Sequence, residues 1–236
     1  RLAAPCKATG INMNEIEKPK RTAGKIVRSR NQEANKQGKI EATEARYNRL
    51  ICLQKAVGIR RAELSRLIGT DLTEDESGYL CVNVSRGKGG KRQLQRILPE
   101  DEKVVLEIFQ SVNPDQKLFS ADEMNNKIDL HGIRREQAQR AYKYYCDRLK
   151  NETGYKYQCR KELAARYKEF HRPGDSNKRF LHDIMNEEPY RLRGENRKKA
   201  IEQGKKTEYN RLALMMVSVF HLSHWRLDVT VTNYLI

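Results

Sequence analysis

V-S-V-F-H-L-S-H-W-R-L-D-V-T-V-T-N-Y-L-I, Val217 to Ile236, is the stretch on which the reading of the whole chain turns. Leading into it, Leu212, Ala213, Met216, Val217 and Phe220 recur at helical spacing from Tyr209 onward. That spacing predicts an amphipathic helix that delivers His224. Ten positions after His224, Tyr234 falls in a second short helical segment. A tyrosine near a chain end is ordinarily a packing residue. It becomes a nucleophile only where neighbours take its proton, which otherwise leaves near pH ~10, and stabilise the charge that follows. Candidates for such neighbours stand upstream.

Composition narrows the partner. The chain has 236 residues, enough for one well-buried core, and a formal charge of +16 with 33% of residues charged. A balance this basic predicts a polyanion, nucleic acid first. It does not separate an enzyme from a passive binder. No run of eighteen apolar residues occurs, so no membrane span is expected, and R-L-A-A-P-C-K-A-T-G lacks the apolar stretch of a signal peptide. The start at Arg1 without methionine is the expectation of a fragment. Five cysteines (Cys6, Cys52, Cys81, Cys146, Cys159) form no C-x-x-C pair and no disulfide framework. They read as free thiols of a reducing cytoplasm, Cys52 and Cys146 on apolar helix faces. His171 and His182 lack the cysteine or carboxylate spacing of a metal site, and none is expected.

In chain order, residues 1–38 carry K-P-K-R and R-S-R with little apolar periodicity, the composition of a basic arm or linker. The domain proper is expected over 39–236. Ala45, Tyr47, Leu50, Ile51, Leu53 and Val57 predict a helix that Gly58 stops. Then comes G-I-R-R-A-E-L-S-R-L, Gly58 to Leu67, in which Arg60 opens a short helix with Glu63 one turn on. A guanidinium fork suits a phosphodiester because its coplanar donors reach two oxygens at once. Tyr79–Val84 and Leu94–Leu98 predict a β-hairpin around the basic turn S-R-G-K-G-G-K-R. This is not a nucleotide phosphate loop, since no G-K-[ST] and no helix follow. Helices are expected at Glu100–Val112 and, briefly, near Ala121–Lys127. In D-L-H-G-I-R-R-E-Q-A, Asp129 to Ala138, His131 and Arg134 are three apart and share a helical face. The region at about 151–206 is helical in period but thin in apolar residues, and reads as an insertion leaning on the domain.

Taken in order, G-I-R-R-A-E, the glycine-rich basic hairpin, H-x-x-R and the terminal His/Tyr stretch resemble the four boxes of the tyrosine recombinases, the phage-integrase family, over Gly58 to Tyr234. The resemblance implies a mainly α catalytic domain with a small antiparallel β-sheet (α+β), carrying a helical insertion. It implies cleavage and rejoining of double-stranded DNA through a covalent 3′-phosphotyrosine. Tyr234 is then the nucleophile, Arg60 and Arg134 neutralise the phosphate, His131 accepts the tyrosine proton and His224 donates to a phosphate oxygen. Lys88, with Lys91 as the fallback, protonates the leaving 5′ hydroxyl. Lys91, Arg92, Arg135 and Trp225 are DNA-contact candidates, Trp225 either walling the phosphate pocket or buried as a structural residue. With two arginines supplying positive charge, the family needs no metal, nucleotide, other cofactor or small-molecule substrate. It works as a tetramer on two duplexes, in the cytoplasm of bacteria or phage-infected cells at the nucleoid, each protomer donating a C-terminal segment. Only two residues follow Tyr234 here, so that segment is expected to be absent or very short.

Three departures stand out. Arg135 follows Arg134 where the family often has histidine; Leu222-Ser223-His224 replaces L-G-H; and ninety positions separate Arg134 from His224, more than the family usually shows. Two other readings remain open: a type IB topoisomerase-like strand relaxer with the same catalytic set, and an inactive DNA-binding remnant of a mobile element.

Overall fold

The computed structural model describes residues 37–87, 92–125, 128–170 and 178–236. It divides into two compact units, Arg1–Ala42 and Thr43–Ile236. Of the first, only the beginning of helix α1 (Gln37–Val57) is described. Residues 1–36 of the expected basic arm therefore lie outside the described residues, as do Lys88, Lys91 and His171, and its last two positions, 37 and 38, already belong to the helix.

The second unit is mainly helical with a small antiparallel sheet. Along α1 the buried stripe is Tyr47, Leu50, Leu53, Ala56 and Val57, and Ala45, expected in it, is exposed. Gly58 ends the helix at φ +58°, its N–H bonded to the Gln54 carbonyl at 2.9 Å. Any other residue is disfavoured there twice over: by the left-handed backbone, and because a Cβ would lie 2.9 Å from the Gln137 side chain. A four-residue helix, α2 (Arg61–Leu64), follows.

The sheet has three strands, β1 (Leu72–Glu74), β2 (Leu80–Val84) and β3 (Gln93–Arg96), in sequential antiparallel order, with Val82 opposite both Leu72 and Gln95. The hairpin β2–β3 was predicted; β1, too short to alternate visibly, was not. All of β3 is buried, both faces, so strict alternation fails there. The Arg96 side chain survives burial in an ion network, 2.6 Å from Asp75 and 2.5 Å from Glu162, and Arg166 joins at 2.9 Å from Asp75. Between the rings of Tyr79 and Phe220 the Arg96 guanidinium is also stacked, at 4.0 and 3.8 Å.

Helix α3 (Glu102–Gln110) buries Val105, Ile108 and Phe109. Where a short helix was expected, Ala121–Met124 is instead a turn, closed by Ser120 N–H donating to the Glu123 carboxylate at 2.8 Å. Helix α4 (Leu130–Asn151) begins at Asp129, whose side chain accepts from Gly132 N–H at 2.9 Å.

The region beyond Asn151 does more than lean on the domain. Helix α5 (Tyr155–Phe170) buries Tyr155, Cys159, Leu163 and Tyr167, one turn apart, inside the same hydrophobic cluster as α4 and the C-terminal segment. Its stripe is built of tyrosine and cysteine, which makes it read as thin. After α6 (Lys178–Met185), an unpredicted two-stranded ribbon joins β4 (Tyr190–Arg191) to β5 (Glu208–Tyr209) around α7 (Gly194–Glu202).

Helix α8 (Arg211–Met216) is capped by Asn210, whose side chain accepts from Ala213 N–H at 3.0 Å. A π-helical turn, Val217–His221, continues it, and every residue from Leu212 to Leu222 is buried. The expected amphipathic helix is thus enclosed on all sides, because α4, α5 and the following segment pack around it. Helix α9 (Leu227–Thr230) and a second π-helical turn, Val231–Leu235, end the chain.

Candidate active site around Tyr234

Three separate segments meet at the Tyr234 ring. The His131 ring centre, from the first turn of α4, lies 5.9 Å away; that of His224, from the loop after α8, lies 5.8 Å away on a ring tilted by 32°. The Arg134 guanidinium, one turn along α4 from His131, is 5.5 Å from the same ring centre. Tyr234 is 6% exposed and Arg134 1%, whereas His131 is exposed.

Arg134 donates from Nη2 to the Leu222 carbonyl at 3.0 Å, while Nε and Nη1 have no hydrogen-bond partner. Burial pulls its proton affinity down, the Tyr234 oxygen pushes it up, and the nearby Arg60 charge lowers it further. A buried guanidinium with two unmatched nitrogens is costly unless an anion completes it. His224 shows the same incompleteness, both ring nitrogens being buried without a partner. Burial, then the charge of Arg134, push its pKa down to about 4, so the imidazole is neutral near pH 7.

Arg60 caps α2. Its Nη1 donates to Glu63 at 2.9 Å and its backbone N–H to the other carboxylate oxygen at 3.2 Å, leaving the side chain 28% exposed. Glu63 also accepts from Gln93 Nε2 at 3.3 Å. Gly87 packs on Gln93 so closely that a Cβ would come within 1.9 Å of the amide. The stem of the basic hairpin is thereby joined to the Arg60 pair.

The supports were not legible as functional residues. Gln54, on the apolar face of α1, donates to the carbonyls of Ile59 and Leu130 at 2.8 and 2.7 Å and accepts from Ile59 N–H at 3.2 Å, tying the Arg60 segment to the start of α4. His221 contacts Gln137 through Nδ1 at 2.9 Å and the Tyr145 hydroxyl through Nε2 at 3.0 Å, fastening the turn before His224 to α4. Gln139 donates to the Tyr234 carbonyl at 3.0 Å, and the Ser218 and Thr230 hydroxyls bond across the two C-terminal segments at 2.6 Å. Gln139 is exposed and gives no signal; for the others the only sequence signal is a polar residue at a position that the helical period assigns to the core.

Ser223 holds φ +49°, the conformation a glycine takes freely, and so turns the chain between Leu222 and His224. Three further candidates lie among the described residues. Arg92 bonds Asn83 at 3.0 Å and lies 3.6 Å from Glu169. Trp225 packs edge-on against Phe180 and Tyr167, with ring centres at 4.9 and 5.9 Å. Arg135 is half-buried on α4.

No helix of the described residues is long and apolar enough to cross a membrane. No family model matches this chain, and no curated protein and no solved structure is significantly similar to it.

Proposed function

We propose that the chain is a DNA strand transferase of the tyrosine-recombinase type, working through a covalent 3′-phosphotyrosine. One observation carries the reading: a buried tyrosine bracketed by two histidines above a buried, incompletely bonded arginine, with a second arginine close enough to act on both Arg134 and His224. A phosphate placed there supplies the acceptors that Arg134 and His224 lack. Tyr234 Oη attacks phosphorus, its proton passing to exposed His131. The O–P bond to tyrosine forms as the P–O5′ bond breaks, and the 5′ oxygen takes a proton from Lys88 of the basic hairpin. Arg134 and Arg60 hold the non-bridging oxygens through the crowded transition state, and neutral His224 donates one N–H. The phosphotyrosine conserves the bond energy, so a second 5′ hydroxyl reverses the step and exchanges strands. The +16 charge supplies duplex affinity through backbone phosphates, which makes it strongly salt-dependent.

The test is a denaturing gel after incubation with nicked candidate duplexes, which trap the adduct. The parent protein is expected to give a covalent band, and Tyr234→Phe none, with duplex binding retained. A band persisting in Tyr234→Phe and lost in Tyr209→Phe overturns the assignment.

A further inference from the structure

A cavity of about 790 Å3 opens one residue beyond His224, between α6, the β4–β5 ribbon and the start of α9. Its size is that of a small-molecule site. Three aromatic rings line it, Phe180, Tyr190 and Trp225, and Arg191, Arg193, Arg211 and Arg226 surround them. Carboxylates are present too: Asp183 pairs with Arg211 at 2.8 Å, Asp228 with Arg226 at 2.7 Å, Glu188 lies on the lining, and Arg191 is held by Glu208 at 3.0 Å in an exposed pair. The Arg226 pair is exposed as well, so it is weak and opens cheaply to a ligand.

Rings, guanidinium groups and carboxylates in one concave site match the parts of a single nucleotide. The base stacks on aromatic faces, its exocyclic amino group donates to a carboxylate, and its phosphate accepts from arginine. The position fits as well. His224 and Trp225 are adjacent in the chain, about 3.8 Å apart at Cα, yet one packs on Tyr234 and the other on Phe180. A strand whose phosphate lies at Tyr234 therefore has its next nucleotide within reach of the cavity.

We propose that this cavity receives one unpaired nucleotide of a DNA strand, its base against Trp225 and Tyr190 and its phosphate on Arg191, Arg193 and Arg226. It rests on the strand-transfer reading only for the source of that strand. A base held in a duplex must unpair before it can turn into the cavity, so the proposed site favours single-stranded over paired DNA.

Trp225 is the only tryptophan in the chain, so its emission reports the cavity directly. The full chain is titrated with short oligodeoxycytidylate and with a blunt duplex. Saturable quenching by the single strand is expected, with little by the duplex. Affinity for the single strand should fall about tenfold in Tyr190→Ala, the loss of one stacking contact, and also in Arg193→Glu. Should Tyr190→Ala fail to fold, the exposed Arg193→Glu decides alone. Equal quenching by duplex and single strand, unchanged affinity in the variants, or an emission change that follows protein concentration without DNA each overturns the proposal. Quenching should persist in Tyr234→Phe. A parent protein that shows quenching but never a covalent adduct sinks strand transfer and leaves the cavity standing; adduct without quenching does the reverse.

Discussion

The guanidinium of Arg134 sits 5.5 Å from the centre of the Tyr234 ring and is held by the Leu222 carbonyl from behind at 3.0 Å. One side chain thus touches the segment carrying His224 and the segment carrying the tyrosine.

Arg60→Lys keeps the charge and loses the planar fork. Strand cleavage is expected to fall by about two orders of magnitude, the range for losing one transition-state donor, with duplex affinity nearly unchanged. Rates of adduct formation measure it. Parental cleavage by Arg60→Lys means that the Arg60–Glu63 pair is structural.

Gln54→Leu fits the space but leaves the Ile59 and Leu130 carbonyls and the Ile59 N–H without their side-chain partner. Stability is expected to drop by about 2–4 kcal/mol, since each stranded buried group costs about 1–3 kcal/mol. Urea unfolding gives the value, and a loss under about 0.5 kcal/mol refutes the tie.

Acid should destabilise the fold through His221 and His224. Burial holds His221 down to about 3 and His224 to about 4, both below the unfolded value near ~6.5. Between those limits the unfolded chain binds more protons, so stability rises with pH there. The contribution is complete above pH ~6.5 and is lost on acidification through that window. From pH ~7 to ~5 the pair accounts for a loss on the order of 2–4 kcal/mol. Thermal melts across this range check it, with His221→Gln expected to flatten the slope; a flat parental profile contradicts the account.

Ser223→Gly should relieve the left-handed strain at φ +49°. A gain of about 0.5–1 kcal/mol is expected, the backbone relief less the added freedom of the unfolded glycine. A lower melting temperature would show that the serine side chain, not its backbone, matters at this turn.

Among the described residues, the side chains that gather at the candidate site were legible. Arg60, His131, Arg134, His224 and Tyr234 are chemically distinctive side chains at fixed spacing, and spacing survives without coordinates. The supports were illegible for the opposite reason. Glutamine at position 54 or 137 looks like a lapse in an apolar stripe until the carbonyl or imidazole it bonds is known, and those partners are distant in the chain. Trp225 was ambiguous because an aromatic residue beside a histidine packs to either side. The placement of Phe180 and Tyr167 shows which rings it meets.

The amino-acid order by itself determined the main helical periods, the Gly58 stop, the β2–β3 hairpin and the strongly basic net charge, all local or additive properties. Tertiary structure alone decided that α5 belongs to the core, that α8 is enclosed rather than amphipathic, that Arg96 can be buried, and that Arg134 lies against Tyr234. Each of these depends on which distant surface comes to cover a side chain, and burial energy is a property of the pair rather than of either stretch.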